Sequence, residues 1–127
     1  MAISRLPDAE LEIMKVLWNS GGEATSAHIA QGLEGRKEWA TTTILNFLAR
    51  LVDRGFLTAR RVGKTNLYTS LIDEGTYLES ESKSFLERLH GNSIKSLVAS
   101  LYGGKKISKK DLDELRAFID EKGAMSE

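Results

Sequence analysis

Thr41-Thr42-Thr43-Ile44-Leu45-Asn46-Phe47-Leu48-Ala49-Arg50-Leu51-Val52-Asp53-Arg54-Gly55 is followed by two runs, Phe56-Leu57-Thr58-Ala59-Arg60-Arg61 and Asn66-Leu67-Tyr68-Thr69-Ser70-Leu71, with Val62-Gly63-Lys64-Thr65 between them. Ile44, Phe47, Leu48 and Leu51 recur at i, i+3, i+4 and i+7, the spacing of one buried helical face. Gly55 is placed to end that helix in a left-handed turn. The two runs after it are β-prone and of strand length, so they predict a hairpin. A helix feeding directly into a hairpin fixes the frame into which the rest of the chain must fit.

Upstream, Leu11, Met14, Leu17 and Trp18 predict a first helix. Asp8, Glu10 and Glu12 lie near its N-terminus, where the helix dipole favours acids, and Asn19-Ser20-Gly21-Gly22 ends it. Thr25 or Ser26 caps a second, short helix that buries Ile29, Ala30 and Leu33 and is broken by Gly32 and Gly35. Three helices and a two-stranded hairpin within residues 1–72 follow the order of a winged helix-turn-helix. Downstream, Tyr77, Leu78, Phe85, Leu86 and Leu89 form one helical stripe, interrupted at Gly91-Asn92-Ser93. Ile94, Leu97, Val98 and Leu101 form another, ended by Gly103-Gly104. Ser108-Lys109-Lys110-Asp111 has capping-box spacing ahead of Leu112, Leu115, Phe118 and Ile119. The expected architecture is mainly α with a small β-hairpin wing: a winged helix over 1–72 and a helical region over 73–127. Three helices of that size rarely build an adequate core alone, so their stripes need either the first domain or a second copy of the chain.

Composition narrows the function. The chain has 127 residues, 41% hydrophobic and 28% charged, too apolar for disorder and too polar to span a membrane. The stretch Met1-Ala2-Ile3-Ser4-Arg5-Leu6-Pro7-Asp8-Ala9-Glu10 reaches acids before any signal-like apolar core, so a cytoplasmic protein is expected. With 0 cysteines, disulfides, thiolate metal sites and thiol nucleophiles are excluded. His28 and His90 are unaccompanied, so no metal site is expected. Gly63-Lys64-Thr65 lacks the upstream glycine and following helix of a phosphate-binding loop and reads as a turn. Ser80, Ser82 and Ser84 have no nucleophile-elbow context, and Trp18 and Trp39 read as packing residues. No cofactor is implied, and nothing supports catalysis.

Net charge is zero, yet it is unevenly spread. Residues 36–66 carry seven basic side chains (Arg36, Lys37, Arg50, Arg54, Arg60, Arg61, Lys64) against Glu38 and Asp53, a net of +5, while residues 1–35 carry a net of −3. A basic segment inside a neutral chain predicts a local polyanion-binding face. At ~100° per residue, the helix face opposite Ile44, Phe47, Leu48 and Leu51 carries Thr42, Asn46, Ala49 and Asp53, flanked by Thr43, Arg50 and Leu45. Threonine hydroxyls and helix N-terminal amides hold phosphate, asparagine pairs bidentately with adenine, and leucine meets a thymine methyl. Capping accounts for one threonine, Thr41, but not for three. Arg60, Arg61 and Lys64, at and beside the hairpin tip, are placed for phosphate contacts along the adjacent backbone. Positive charge also protects an edge strand from aggregation, but basic residues recur on both elements.

Leu11-Glu12-Ile13-Met14-Lys15-Val16-Leu17-Trp18, Trp39-Ala40-Thr41-Thr42-Thr43-Ile44 and Arg50-Leu51-Val52-Asp53-Arg54-Gly55-Phe56 resemble the BlaI/MecI-type penicillinase repressors, as do Ser96-Leu97-Val98-Ala99-Ser100-Leu101 and the Ser108-to-Phe118 segment. The resemblance implies a cytoplasmic homodimer whose winged helices bind a near-palindromic operator, over genes for β-lactam resistance or related functions. It puts Thr42, Thr43, Asn46 and Arg50 at recognition-helix positions. Leu45 departs from the arginine of the best-known members. The resemblance further implies dimerisation through the C-terminal helices, carried here by Tyr77, Phe85, Leu89, Ile94, Leu97, Val98, Leu101, Leu112, Leu115 and Ile119. In induced members a pathway linked to a sensor metalloprotease cuts an Asn–Phe bond; the corresponding pair here is Ser100-Leu101. The copper-responsive branch uses C-terminal cysteines, which this chain lacks. Two other readings fit the same residues: a winged-helix module for an acidic protein partner, and a repressor relieved by a small ligand in its apolar helices.

Overall fold

A computed structural model describes residues 3–125 of the chain; Met1 and Ala2 of the N-terminal stretch read above lie outside them. The chain divides into two compact units, residues 1–81 and 82–127.

The first unit opens with α1 (Asp8–Asn19), whose first turn carries Asp8 and Glu10 and whose inner face buries Ile13, Met14, Val16 and Leu17. Gly21 and Gly22 turn the chain at φ +80° and +92°, a conformation glycine takes without steric cost. A strand absent from the expectation follows: β1 (Glu23–Thr25). It pairs antiparallel with β3 (Thr65–Ser70), placing Ala24 opposite Tyr68, and β3 pairs with β2 (Leu57–Val62). The hairpin is thus part of a three-stranded sheet of order β1-β3-β2. Three residues reading Glu-Ala-Thr hold only one buried side chain, Ala24, and so carry no alternation to detect.

Thr25 caps α2 (Ser26–Leu33), its hydroxyl accepting the His28 N–H at 3.2 Å. Gly32 does not break this helix. It lies inside it, against α1, where a β-carbon would fall 2.6 Å from Val16 Cγ1. Close approach of the two helices requires the glycine, and β-branched Val16 has little rotamer freedom to give way. Gly32→Ala is therefore expected to destabilise the fold by a net of up to ~2 kcal/mol, because ~1–3 kcal/mol of overpacking is only partly offset by the ~1 kcal/mol of improved helix propensity. Urea unfolding checks this, and adding Val16→Ala should remove the clash.

Helix α3 (Thr41–Asp53) buries Ile44, Leu48 and Leu51. Arg54 follows as its C-cap, and Gly55, with φ +83°, turns the chain away. Phe56 and Leu57 then enter the core beside Ile29, Leu33 and Tyr68. Helix α4 (Glu74–His90) begins at Asp73, whose carboxylate accepts the Thr76 N–H at 2.7 Å. That bond, with a second to the Thr76 side chain, holds Asp73 below the usual carboxylate range. Tyr77, expected in the dimerising stripe, packs within the first unit instead. Its ring meets Trp18 and Phe56 at 5.8 Å, and its hydroxyl accepts the Leu6 N–H at 2.9 Å. The structural division therefore falls nine residues after the expected boundary at 72/73.

The second unit holds the remainder of α4, α5 (Ile94–Gly103) and α6 (Lys109–Met125). Ser93 caps α5, accepting the Ser96 N–H. The expected capping box is present at α6: Asp111 accepts the Ser108 N–H at 2.9 Å, and the Ser108 hydroxyl accepts the Asp111 N–H at 3.1 Å. These Ser108 bonds hold the Asp111 carboxyl below its ordinary value, so the box is complete at neutral pH and weakens in acid. Among the described residues, every buried apolar side chain lies at or before Tyr77. The second unit has none.

Candidate nucleic-acid interface

Helix α3 presents one polar face to solvent. Thr41, Thr42, Leu45, Asn46, Ala49 and Arg50 are exposed, and Thr43 is half-buried. The residue before the helix is Ala40, which makes no side-chain cap bond, so Thr41 is not the cap but the first helical residue. The first hydrogen bond of the helix is donated by the Ile44 N–H to the Ala40 carbonyl at 3.1 Å. The amides of Thr41, Thr42 and Thr43 therefore point out of the helix end unpaired, with three hydroxyls around them. That is the geometry in which a helix N-terminus holds phosphate oxygens.

Along the side of α3, Trp39 meets Phe47 edge-to-face at 5.2 Å. Lys37 stands 6.0 Å over the Trp39 ring and Arg50 5.9 Å over the Phe47 ring. These cation–aromatic contacts hold two positive heads beside the exposed face. Phe47 is half-buried rather than core, and Trp39 is the packing residue expected.

The seven basic residues of segment 36–66 do not form one patch. Arg54 donates from Nε to Glu10 Oε1 at 2.9 Å, and the Glu10 side chain is only 2% exposed. Arg36 pairs with Glu12 at 3.7 Å and donates to the Gly32 carbonyl. Both arginines bind acids of α1, so Glu10 and Glu12 do more than complement the helix dipole. Lys37, Arg50, Arg60, Arg61 and Lys64 remain exposed, with no ion pair among the described residues.

Arg60 and Arg61 lie on β2, an outer strand of the sheet, opposite Leu67 and Asn66. Neighbouring strand residues point to opposite faces, so the two arginines flank the hairpin instead of sharing one side. Arg61 Nε reaches the Gly63 carbonyl at 3.3 Å. Gly63, at φ +64°, and Lys64 form the two-residue turn, so Lys64 stands at the tip.

His28 is exposed, with Nε2 3.0 Å from the Ser20 hydroxyl. Among the described residues, no three His, Asp or Glu side chains gather as a metal site, and no helix is long and apolar enough to cross a membrane. In the second unit, Ile94, Val98, Leu112, Leu115 and Ile119 line an open apolar groove of 690 Å³ with Lys95, Ala99, Tyr102 and Phe118. Leu97 and Phe85 are half-buried there, while Leu89 and Leu101 are exposed. Ser100 and Leu101 occupy the last turn of α5.

The profile of the penicillinase repressor family matches residues 6–121. Over 119 residues the chain is 34% identical to the penicillinase repressor of Bacillus licheniformis, covering 94% of this chain and 92% of that one. It is 26% identical over 117 residues to the methicillin resistance regulatory protein MecI of Staphylococcus aureus, covering 92% and 94%. The solution structure of Bacillus licheniformis BlaI in monomeric form, in complex with the blaP half-operator, superposes with a TM-score of 0.50 at 35% identity, covering 59% of this chain and 90% of that one.

Proposed function

The chain belongs to the penicillinase repressor family, DNA-binding transcriptional repressors rather than enzymes, and from that premise we propose that it holds a near-palindromic operator as a homodimer and represses by occupying it. The observation that carries this is the solvent face of α3: unpaired N-terminal amides and hydroxyls, then Asn46 and Arg50, beside a basic hairpin. Thr41, Thr42 and Thr43 hold the phosphates at the helix end, and Asn46 reads a base edge with Arg50 beside it. Arg60, Arg61 and Lys64 contact the neighbouring backbone. Two copies place two such helices about one helical turn apart.

Dimerisation rests on the second unit's lack of any buried side chain among its described residues and on its apolar groove. A second copy is the apolar surface that would complete it. The genes controlled are proposed to be those of β-lactam resistance or related functions, in the cytoplasm where the operator lies. Relief of repression is proposed to come from a sensor-linked metalloprotease cutting between Ser100 and Leu101. A protease needs that bond extended, so the last turn of α5 must first open, and Gly103 in that turn with Gly104 just after it lowers the resistance to opening.

Selection of bound duplexes from a random library, followed by sizing of the complex, tests the reading. A palindromic site bound by two chains supports it. A folded protein that selects no motif overturns it in favour of an acidic protein partner. On the selected operator, Asn46→Ala is expected to cost ~1–3 kcal/mol and little on random DNA. Loss of Arg60 and Arg61 together should weaken both and reduce the salt slope by about 2 per chain. Anisotropy titrations across a salt series read both effects.

A further inference from the structure

We propose that Leu45 and Ala49 read the 5-methyl groups of thymine, so that each half-site places thymine beside the base read by Asn46. The inference rests on the operator-binding role of α3 proposed above and adds the chemistry of the sequence bound. Leu45 is 40% exposed in mid-helix, whereas Ile44, Leu48 and Leu51 on the same helix are buried. Ala49, one turn further on, is exposed as well. By helical spacing the two form an apolar edge about 100° round the axis from Asn46, for Leu45, and about 60° for Ala49, with Arg50 beyond Asn46 on the polar side. One face of α3 thus has an aliphatic margin and a hydrogen-bonding margin.

In the major groove the thymine methyl is the apolar group a base pair presents; guanine, adenine and cytosine offer donors and acceptors. An aliphatic side chain gains nothing from a phosphate, and set against a cytosine amine it leaves that donor without an acceptor. Leu45 therefore discriminates for thymine both by contact and by exclusion. Four residues of helix advance about 6 Å, close to two base-pair steps. Leu45 and Ala49 accordingly fit methyls within two steps of each other, on the side of the helix away from Arg50.

Uracil in place of thymine removes the methyl and leaves every hydrogen-bonding group intact. With the full-length protein and its selected operator, replacing each thymine in turn by uracil in both half-sites should reveal one or two positions where affinity falls. The expected loss is about three- to five-fold per methyl in each half-site, hence roughly ten-fold or more for the symmetric change. In Leu45→Ala, which alters an exposed residue, leaves the core untouched and shortens the apolar contact, the penalty at the Leu45 position should fall well below that of the unaltered protein. Uracil tolerated at every position, or a full penalty persisting in Leu45→Ala, overturns the assignment. Failure to select any operator falls on the repressor reading instead, so the two outcomes are separable.

Discussion

Val98→Glu combined with Phe118→Glu is expected to convert the protein to monomers and to lower its affinity for a full operator by about 10²- to 10⁴-fold. Both residues line the apolar groove between α5 and α6. A carboxylate there meets a second apolar surface with no partner, and burying an unpaired charge costs far more than the contact it replaces gains. Neither change touches α3 or the hairpin, so affinity for an isolated half-site should stay within a few-fold of the unaltered protein. The loss arises because two half-site energies no longer act in one binding event. Sizing and anisotropy on half and full operators separate the effects. A double variant that remains dimeric would move the interface off the groove. A monomer that still held the full operator tightly would remove the need for a dimer.

The second large effect is expected at Arg54, in the first unit. Arg54→Ala should destabilise the first unit by about 3 kcal/mol, the low end of the ~3–5 kcal/mol seen when one partner of a buried ion pair is removed. Glu10 is 2% exposed and loses the guanidinium that holds it at 2.9 Å. The low end applies because Arg54 itself is 37% exposed, so water already screens part of the pair. Replacing both members, as Glu10→Leu with Arg54→Met, should recover most of the loss, since no charge is then left buried. Urea unfolding of the three variants decides it. A cost below ~1 kcal/mol for Arg54→Ala would mean that Glu10 finds water and that the pair holds little.

The elements with long periodic signals were legible from residues alone. Ile44, Leu48 and Leu51 gave α3 its buried face, and Gly55 gave its end. The hairpin, the Thr25 cap and the Ser108–Asp111 box followed from turn and cap chemistry that acts over three or four residues. What escaped depends on contacts between distant segments. Glu10 and Arg54 are 44 positions apart. A buried acid on α1 therefore looks the same in sequence as an acid favoured by the helix dipole. Gly32 looked like a helix breaker because nothing local announces Val16 across from it. β1 was too short for its pattern to register, and its existence depends on β3 being there to pair with. At the candidate interface the exposed face of α3 was readable from angular spacing. The sorting of seven basic residues into five without an ion pair among the described residues and two paired with acids of α1 was not, because charge counts carry no distances.

Among its described residues the second unit, about a third of the chain, holds no buried side chain, so on the dimeric reading its fold becomes a question of copy number. On the dimeric reading, paired chains at low abundance scale with the square of the total, so halving the pool leaves roughly a quarter of the operator-competent form. Dilution at cell division, slower synthesis or the destruction of a minority of chains would each be amplified at the promoter. The bare surfaces of α5 and α6 would in this way set the dose at which the gene is silenced.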